Sequence, residues 1–281
     1  MSCPNAVALT YNARMQLTRL SSSIFTRAIN AFLALQNLAL TTQKTTLSVL
    51  LIAMLVASKA LTADTGFLNI AVASNFRATA EEISKDFSAK TGVKVRVSSA
   101  STGVLAAQIR RGAPYDVLLA ADHARPQALV DDGTSSGPAS CYAQGSLVLL
   151  GADSIEDSLS DAAQSIAIAN PRSAPYGAAA LTVLARDGFT SAEDRRTVRG
   201  SNVLQALQFY ASGGADLALV ARSLSPMEGL PIPISWHAPI EQYAVINARS
   251  QNLRAAQEFL EYLSEPAVES VLTSFGYSSC S

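Results

Sequence analysis

The feature that most constrains this chain is an alternation that recurs from residue 68 to residue 221. A short apolar run is followed by a cluster of Ser, Thr, Asn or Gly, and then by apolar residues at helical spacing. Leu68, Ile70 and Val72 alternate as in a strand, and Phe76, Ala80, Ile83 and Phe87 then mark one face of a helix. Gly92 is placed to end that helix. "VKVRV" reads as the next strand, a helix passes through Val104, Leu105 and Ile109 to end near Gly112, and "DVLLAA" follows as a buried strand. This succession predicts a parallel α/β sheet. After the turn-rich "DDGTSSGPAS" the pattern restarts with a strand at Ser146 to Leu150. "SIAIAN" and "ADLALVA" read as further strands, with "GAAALTVLARDG" and "SNVLQALQFYASGG" as helices between them. A Pro-rich passage, "SPMEGLPIPISWHAP", leads to "IEQYAVI" and two C-terminal helices. A crossing near 140–146 and a return near 238 imply two lobes with a cleft between them.

Charge narrows the function classes. All 22 Asp and Glu lie at or after Asp64, whereas residues 1–60 hold Arg14, Arg19, Arg27, Lys44 and Lys59 and no acid. The remainder carries 16 Lys and Arg against those 22 acids, a net charge of −6, which does not suit nucleic acid. The acid-free leader ends in "LSVLLIAMLVA", Leu47 to Ala57, the length of a signal-peptide apolar region and too short to span a bilayer. Cleavage is expected near Ala60, followed by a periplasmic location. The expected organisation is therefore a leader at 1–60, one lobe from 61–143 with 240–281, and a second lobe at 144–239. Loss of the leader removes Cys3 and leaves Cys141 and Cys280, an even pair that an oxidising compartment allows to join; the sequence leaves open whether they do. With two histidines and no CxxC, a metal-cation site is not expected.

Four helix starts share one design: "AVASNF" at 71–76, "SASTGV" at 99–104, "NPRSAPYGAAA" at 170–180 and "GSNVLQAL" at 200–207. Any one of them is explained by helix capping, since Ser, Thr and Asn accept backbone N–H groups that the first turn leaves unpaired. Together they suggest more. In an open α/β sheet the strand ends and helix N-termini share an edge, where free N–H groups and helix dipoles favour an anion. No GxxxxGK[ST] pattern points to a nucleotide, and no GxSxG elbow points to a hydrolase, so an enzyme is not expected. Hydroxyls, amides and N–H groups are mainly donors, which suits a fully deprotonated tetrahedral oxyanion better than a phosphate carrying its own proton. Asp116 and Asp122 are expected to serve turns and caps, Arg110 and Arg111 to lie in solvent at a helix C-terminus, and Trp236 to pack.

From about Leu68 to Gly276 the chain resembles the periplasmic molybdate-binding proteins of ABC transporters. The resemblance rests on "AVASNF", "SASTGVLAAQIRRGAPYDVLLAAD", "NPRSAPYGAAA", "SNVLQALQFYASGGADLALVA", "PIEQYAVI" and "FGYSS", in family order. It implies a two-lobed periplasmic-binding-protein fold of the class II type, with the ligand in the cleft between lobes. It further implies a monomer that captures molybdate or tungstate, needs no cofactor, and delivers its ligand to the membrane permease of an ABC transporter. A receptor for sulfate or another tetrahedral oxyanion is the first alternative, and an exported α/β enzyme ranks behind it. By motif, Ser74 and Asn75 would donate from the first helix start and Thr102 from the second. Tyr176 would offer its backbone N–H from "APYG", and Val203 its N–H from "SNV". Thr102 stands where many members carry serine, which keeps the hydroxyl and adds a methyl group.

Overall fold

A computed structural model describes residues 67–280. The apolar leader segment, the cleavage position near Ala60 and Cys3 lie outside the described residues.

The described residues build two mixed five-stranded sheets. Strands β1 (Leu68–Ala73), β2 (Val95–Ala100), β3 (Val117–Ala120), β4 (Ser140–Gly145) and β10 (Ile240–Ile246) form the first, in the order β2-β1-β3-β10-β4. β1 pairs in parallel with both β2 and β3, while β10 runs antiparallel to β3 and β4. The second sheet is ordered β7-β6-β8-β5-β9, from β5 (Leu147–Leu150), β6 (Ile166–Ala169), β7 (Thr197–Gly200), β8 (Leu217–Ala221) and β9 (Leu230–Pro231). There β6 is parallel to β7 and β8, and β5 is antiparallel to its two neighbours. The parallel sheet expected from the alternation thus forms in each half, with antiparallel strands added where the chain passes between halves. β4 ends at Gly145 and β5 begins at Leu147, so a single residue separates the two sheets.

Period-two alternation explains how the first sheet is covered on both faces. Leu68, Ile70 and Val72 of β1 and Val117 and Leu119 of β3 point to one side. They pack there against Phe76, helix α1 (Arg77–Thr91) through Ala80, Ile83 and Phe87, and the C-terminal helices α7 (Leu253–Tyr262) and α8 (Pro266–Ser274). Ala71, Leu118 and Ala120 point to the other side, onto Leu105, Ala106 and Ile109 of α2 (Thr102–Arg110) and Leu129 of α3 (Ala124–Asp131). The second sheet lies in one apolar cluster with α4 (Ile155–Ser160), α5 (Pro175–Leu184) and α6 (Val203–Ala211). Ala73 and Ala121, which end the apolar runs of β1 and β3, join that cluster, so the first sheet's strand ends meet the second half's core.

Trp236 packs as expected, its ring tilted against Phe189 at 5.4 Å between centroids, with the Arg186 guanidinium 4.5 Å from its ring. The helices α3 and α4 and strands β4, β7 and β9 have no counterpart in the expected element string. Cys141 and Cys280 are joined in a disulfide that ties β4 to the chain beyond α8. None of the helices among the described residues is long and apolar enough to cross a membrane.

Candidate functional site

The four helix starts differ in how they are capped. At the 3-10 turn Ser74–Phe76, at α2 and at α5 the preceding residues are Ala73, Ser101 and Ala174, and none makes a side-chain cap bond. Only α6 is capped in the usual way: Asn202 Oδ1 accepts the Gln205 N–H at 3.0 Å, and Gln205 Oε1 accepts the Ser201 N–H at 2.7 Å. Since the first residues of a helix have no intrahelical acceptor, the N–H groups at Ser74, Thr102 and Tyr176 are left to other partners. The α6 cap serves Gln205, so the Val203 N–H is left over as well.

These starts are drawn together from both halves. Ser223 Oγ donates to the Asn75 carbonyl at 2.9 Å, and the Gly103 N–H donates to the Ser173 carbonyl at 2.9 Å. The Ser74–Phe76 turn lies against α6. Tyr176 extends from α5 into the junction between sheets, where its hydroxyl sits beside Gly145, Gln242 and Asn75. Ser74, Asn75, Thr102, Tyr176 and Val203 are all buried. The structure therefore buries the five expected residues on segments that meet where the two halves touch.

Side-chain partners refine what each can offer. Thr102 Oγ1 accepts the Ala121 N–H at 3.0 Å, which uses a lone pair and leaves the hydroxyl proton as a donor. Asn75 spends both amide protons inside the first half, on Gln242 Oε1 at 2.8 Å and Tyr277 Oη at 2.9 Å. Its available donor is the backbone N–H. Tyr277 Oη returns a bond to the Asn75 carbonyl at 3.0 Å, so the turn is clamped from three sides by Gln242, Tyr277 and Ser223. The expected site contains none of these three. Gln242 was legible as the one buried amide in "IEQYAVI". It sits where the β4–β10 register shifts, an irregularity that re-aims side chains. Ser101 adds a further hydroxyl: it is buried at the α2 start and its Oγ has no partner.

Carboxylates are kept out of this donor set. Asp116 accepts from the Asn69 N–H at 2.7 Å, Ser250 Oγ at 2.6 Å and Asn252 Nδ2 at 3.2 Å, a structural role at the opposite end of β3. Asp122 caps the Arg125 N–H at 2.8 Å and pairs with its guanidinium at 2.6 Å. Arg110, expected in solvent at a helix C-terminus, is exposed in the last turn of α2 and also pairs with Asp132 at 2.7 Å, because α3 packs beside the end of α2. Burial pushes the phenols of Tyr142, Tyr176 and Tyr277 above their ordinary range, so they stay neutral donors at physiological pH. Among the described residues no cluster of His, Cys, Asp and Glu could hold a metal ion. The side chains gathered here are neutral donors, a set whose chemistry suits a compact anion.

Residues 68–278 match the family of bacterial extracellular solute-binding proteins. The molybdate-binding protein ModA of Azotobacter vinelandii is 38% identical over 245 residues, spanning 82% of this chain and 97% of that protein. The ModA of Rhodobacter capsulatus is 36% identical over 233 residues, 79% of this chain and 92% of its own length. The solved periplasmic molybdate-binding protein of Azotobacter vinelandii superposes with a TM-score of 0.70 at 32% identity, covering 76% of this chain and all of that one.

Proposed function

The chain belongs to the bacterial extracellular solute-binding proteins and is a homologue of ModA, and from that membership we propose that it captures molybdate or tungstate and delivers it to an ABC transporter permease. Members of this family bind and carry; they do not transform their ligand. The observation that supports the reading is that helix starts from both halves lack side-chain caps and are buried where the halves meet. Ser74 and Thr102 supply hydroxyls, and Asn75, Tyr176 and Val203 supply backbone N–H groups. Residues 1–60 act as the export leader, cleaved near Ala60, and the mature protein works in the periplasm as a monomer.

Magnitudes support neutral recognition. Hydrogen bonds to a charged group contribute roughly 1.5–3 kcal/mol each. Five of them reach the range of a micromolar dissociation constant, about −8.2 kcal/mol, with room to offset dianion desolvation. Monoprotonated phosphate would need an acceptor for its own proton, and Asp116 and Asp122 are both engaged elsewhere. Sulfate satisfies the same charge pattern and is the second reading.

Isothermal titration of the purified protein with molybdate, tungstate, sulfate and phosphate tests this. One-to-one binding of molybdate that excess sulfate fails to displace is expected; binding of sulfate alone would overturn the ligand. Thr102→Ala should weaken molybdate binding roughly 10- to 100-fold, the cost of one charge-assisted hydrogen bond. Thr102→Ser should restore most of the loss, because it keeps the hydroxyl.

A further inference from the structure

We propose that Arg125 is a closure latch: a positioning residue that holds the two halves together over the bound oxyanion without touching it. This inference deepens the receptor reading and rests on it for its effect on affinity.

Arg125 lies in α3, which packs on the first sheet. Asp122 fixes the side chain twice over, since Oδ1 accepts the Arg125 backbone N–H at 2.8 Å and Oδ2 pairs with Nη1 at 2.6 Å. The guanidinium is thereby aimed across the cleft, where Nη2 donates to the Arg172 carbonyl at 2.9 Å. Arg172 belongs to the loop that leads into α5 of the second half. One residue further on, the Ser173 carbonyl accepts the Gly103 N–H at 2.9 Å, so two consecutive carbonyls of one half are held by two donors of the other. The fit is close. A Cβ at Gly103 would stand 3.0 Å from Arg125 Nε and 3.1 Å from the Ser173 carbonyl oxygen, so a side chain here would make these neighbours give by a few tenths of an ångström. A fork held by its own carboxylate loses little further freedom when it makes the second bond.

The consequence follows from population shift. A ligand enclosed between two halves leaves only from the open form, so a contact made solely in the closed form lowers the dissociation rate and leaves the association rate nearly untouched. On this proposal the Arg125 bond to the Arg172 carbonyl is such a contact, whereas Thr102, one residue before Gly103, is a proposed direct donor.

The test compares wild type with Arg125→Ala, Arg125→Lys and Asp122→Asn, by stopped-flow dissociation of molybdate and by hydrogen exchange at peptides containing Gly103, with and without molybdate. Arg125→Ala should raise the dissociation rate about tenfold, the loss of one charge-assisted bond, with association within about twofold. Exchange at the Gly103 peptide should speed up in both conditions while peptides from β1, β3 and β6 keep wild-type rates. Asp122→Asn should act in the same direction but less, and Arg125→Lys should lie between wild type and alanine. Unchanged Gly103 exchange in Arg125→Ala overturns the latch, as does a slowed association with unchanged dissociation, which would mark a steering charge instead. If wild type ignores molybdate while Arg125→Ala still accelerates Gly103 exchange, the receptor reading falls and the latch stands.

Discussion

At the residue scale, the junction between halves is set by what glycine and tyrosine leave to each other. A Cβ on Gly145 would fall 1.9 Å from the Tyr176 hydroxyl oxygen and 3.1 Å from the ring carbon that bears it. Gly145→Ala therefore cannot be accommodated without moving Tyr176, whose backbone N–H is one of the proposed ligand donors. It should cost about 1–3 kcal/mol in stability, the usual range for overpacking, and weaken oxyanion binding. Adding Tyr176→Phe removes the atom at 1.9 Å and leaves tight contacts of 3.1 and 3.3 Å that a shift of a few tenths of an ångström relieves. The double variant should melt closer to wild type than Gly145→Ala does, and a thermal melt of the three proteins checks it. Nothing in the string "QGSLV" announces this constraint, because Tyr176 is 31 positions away in the sequence.

At the element scale, the pairing of β4 with the chain terminus matters to the site as well as to stability. Ser278 exchanges backbone hydrogen bonds with Gln144 at 2.8 and 3.0 Å, and the Cys141–Cys280 disulfide lies beside this pairing. The same stretch presents Tyr277 to the Asn75 carbonyl. Replacing both cysteines by serine should lower stability by about 2–4 kcal/mol, since the bond closes a long loop in the unfolded chain. Denaturant melts of the oxidised, reduced and double-serine proteins should place the latter two together, well below the first. β4 itself escaped the sequence pattern because "SCYAQG" has neither an apolar run nor clean alternation. It is a strand because β10 offers it a ladder and because a register shift at Gln242 and Tyr243 accommodates Tyr142. The α1 helix, in contrast, was legible from four apolar positions, since burying one face against a sheet leaves that spacing in any sequence.

At the scale of the whole molecule, two buried phenols, Tyr176 and Tyr277, and the partly buried Tyr142 tie stability to alkaline pH. Burial raises the pKa of Tyr142, Tyr176 and Tyr277 in the folded state. The unfolded chain releases these protons first, so stability is fully present below the ordinary tyrosine value of about 10 and falls as pH rises beyond it. Each phenol contributes a slope of up to about 1.4 kcal/mol per pH unit in that window. Chemical denaturation between pH 7 and 11 should show a plateau to about pH 9.5 and then a steep decline, and Tyr277→Phe should flatten that decline.

The sequence by itself determined the alternation of strands and helices, the acidic surface of residues 61–281 and the hydroxyl-rich helix starts. These are local: periodicity, composition and capping chemistry are written in neighbouring residues. The motif order went further and pointed to the family. Tertiary structure alone decided which donors remain free. Asn75 looks like a side-chain donor in sequence, yet its amide is consumed by Gln242 and Tyr277, 167 and 202 positions away. Ser101 and Thr102 are chemically alike, yet one finds the Ala121 N–H and the other finds nothing. Arg125 and Asp122 look like an ordinary i,i+3 surface pair until the second half supplies the Arg172 carbonyl. A polar group's role depends on which partner reaches it first, and that is fixed by packing between segments far apart in the chain.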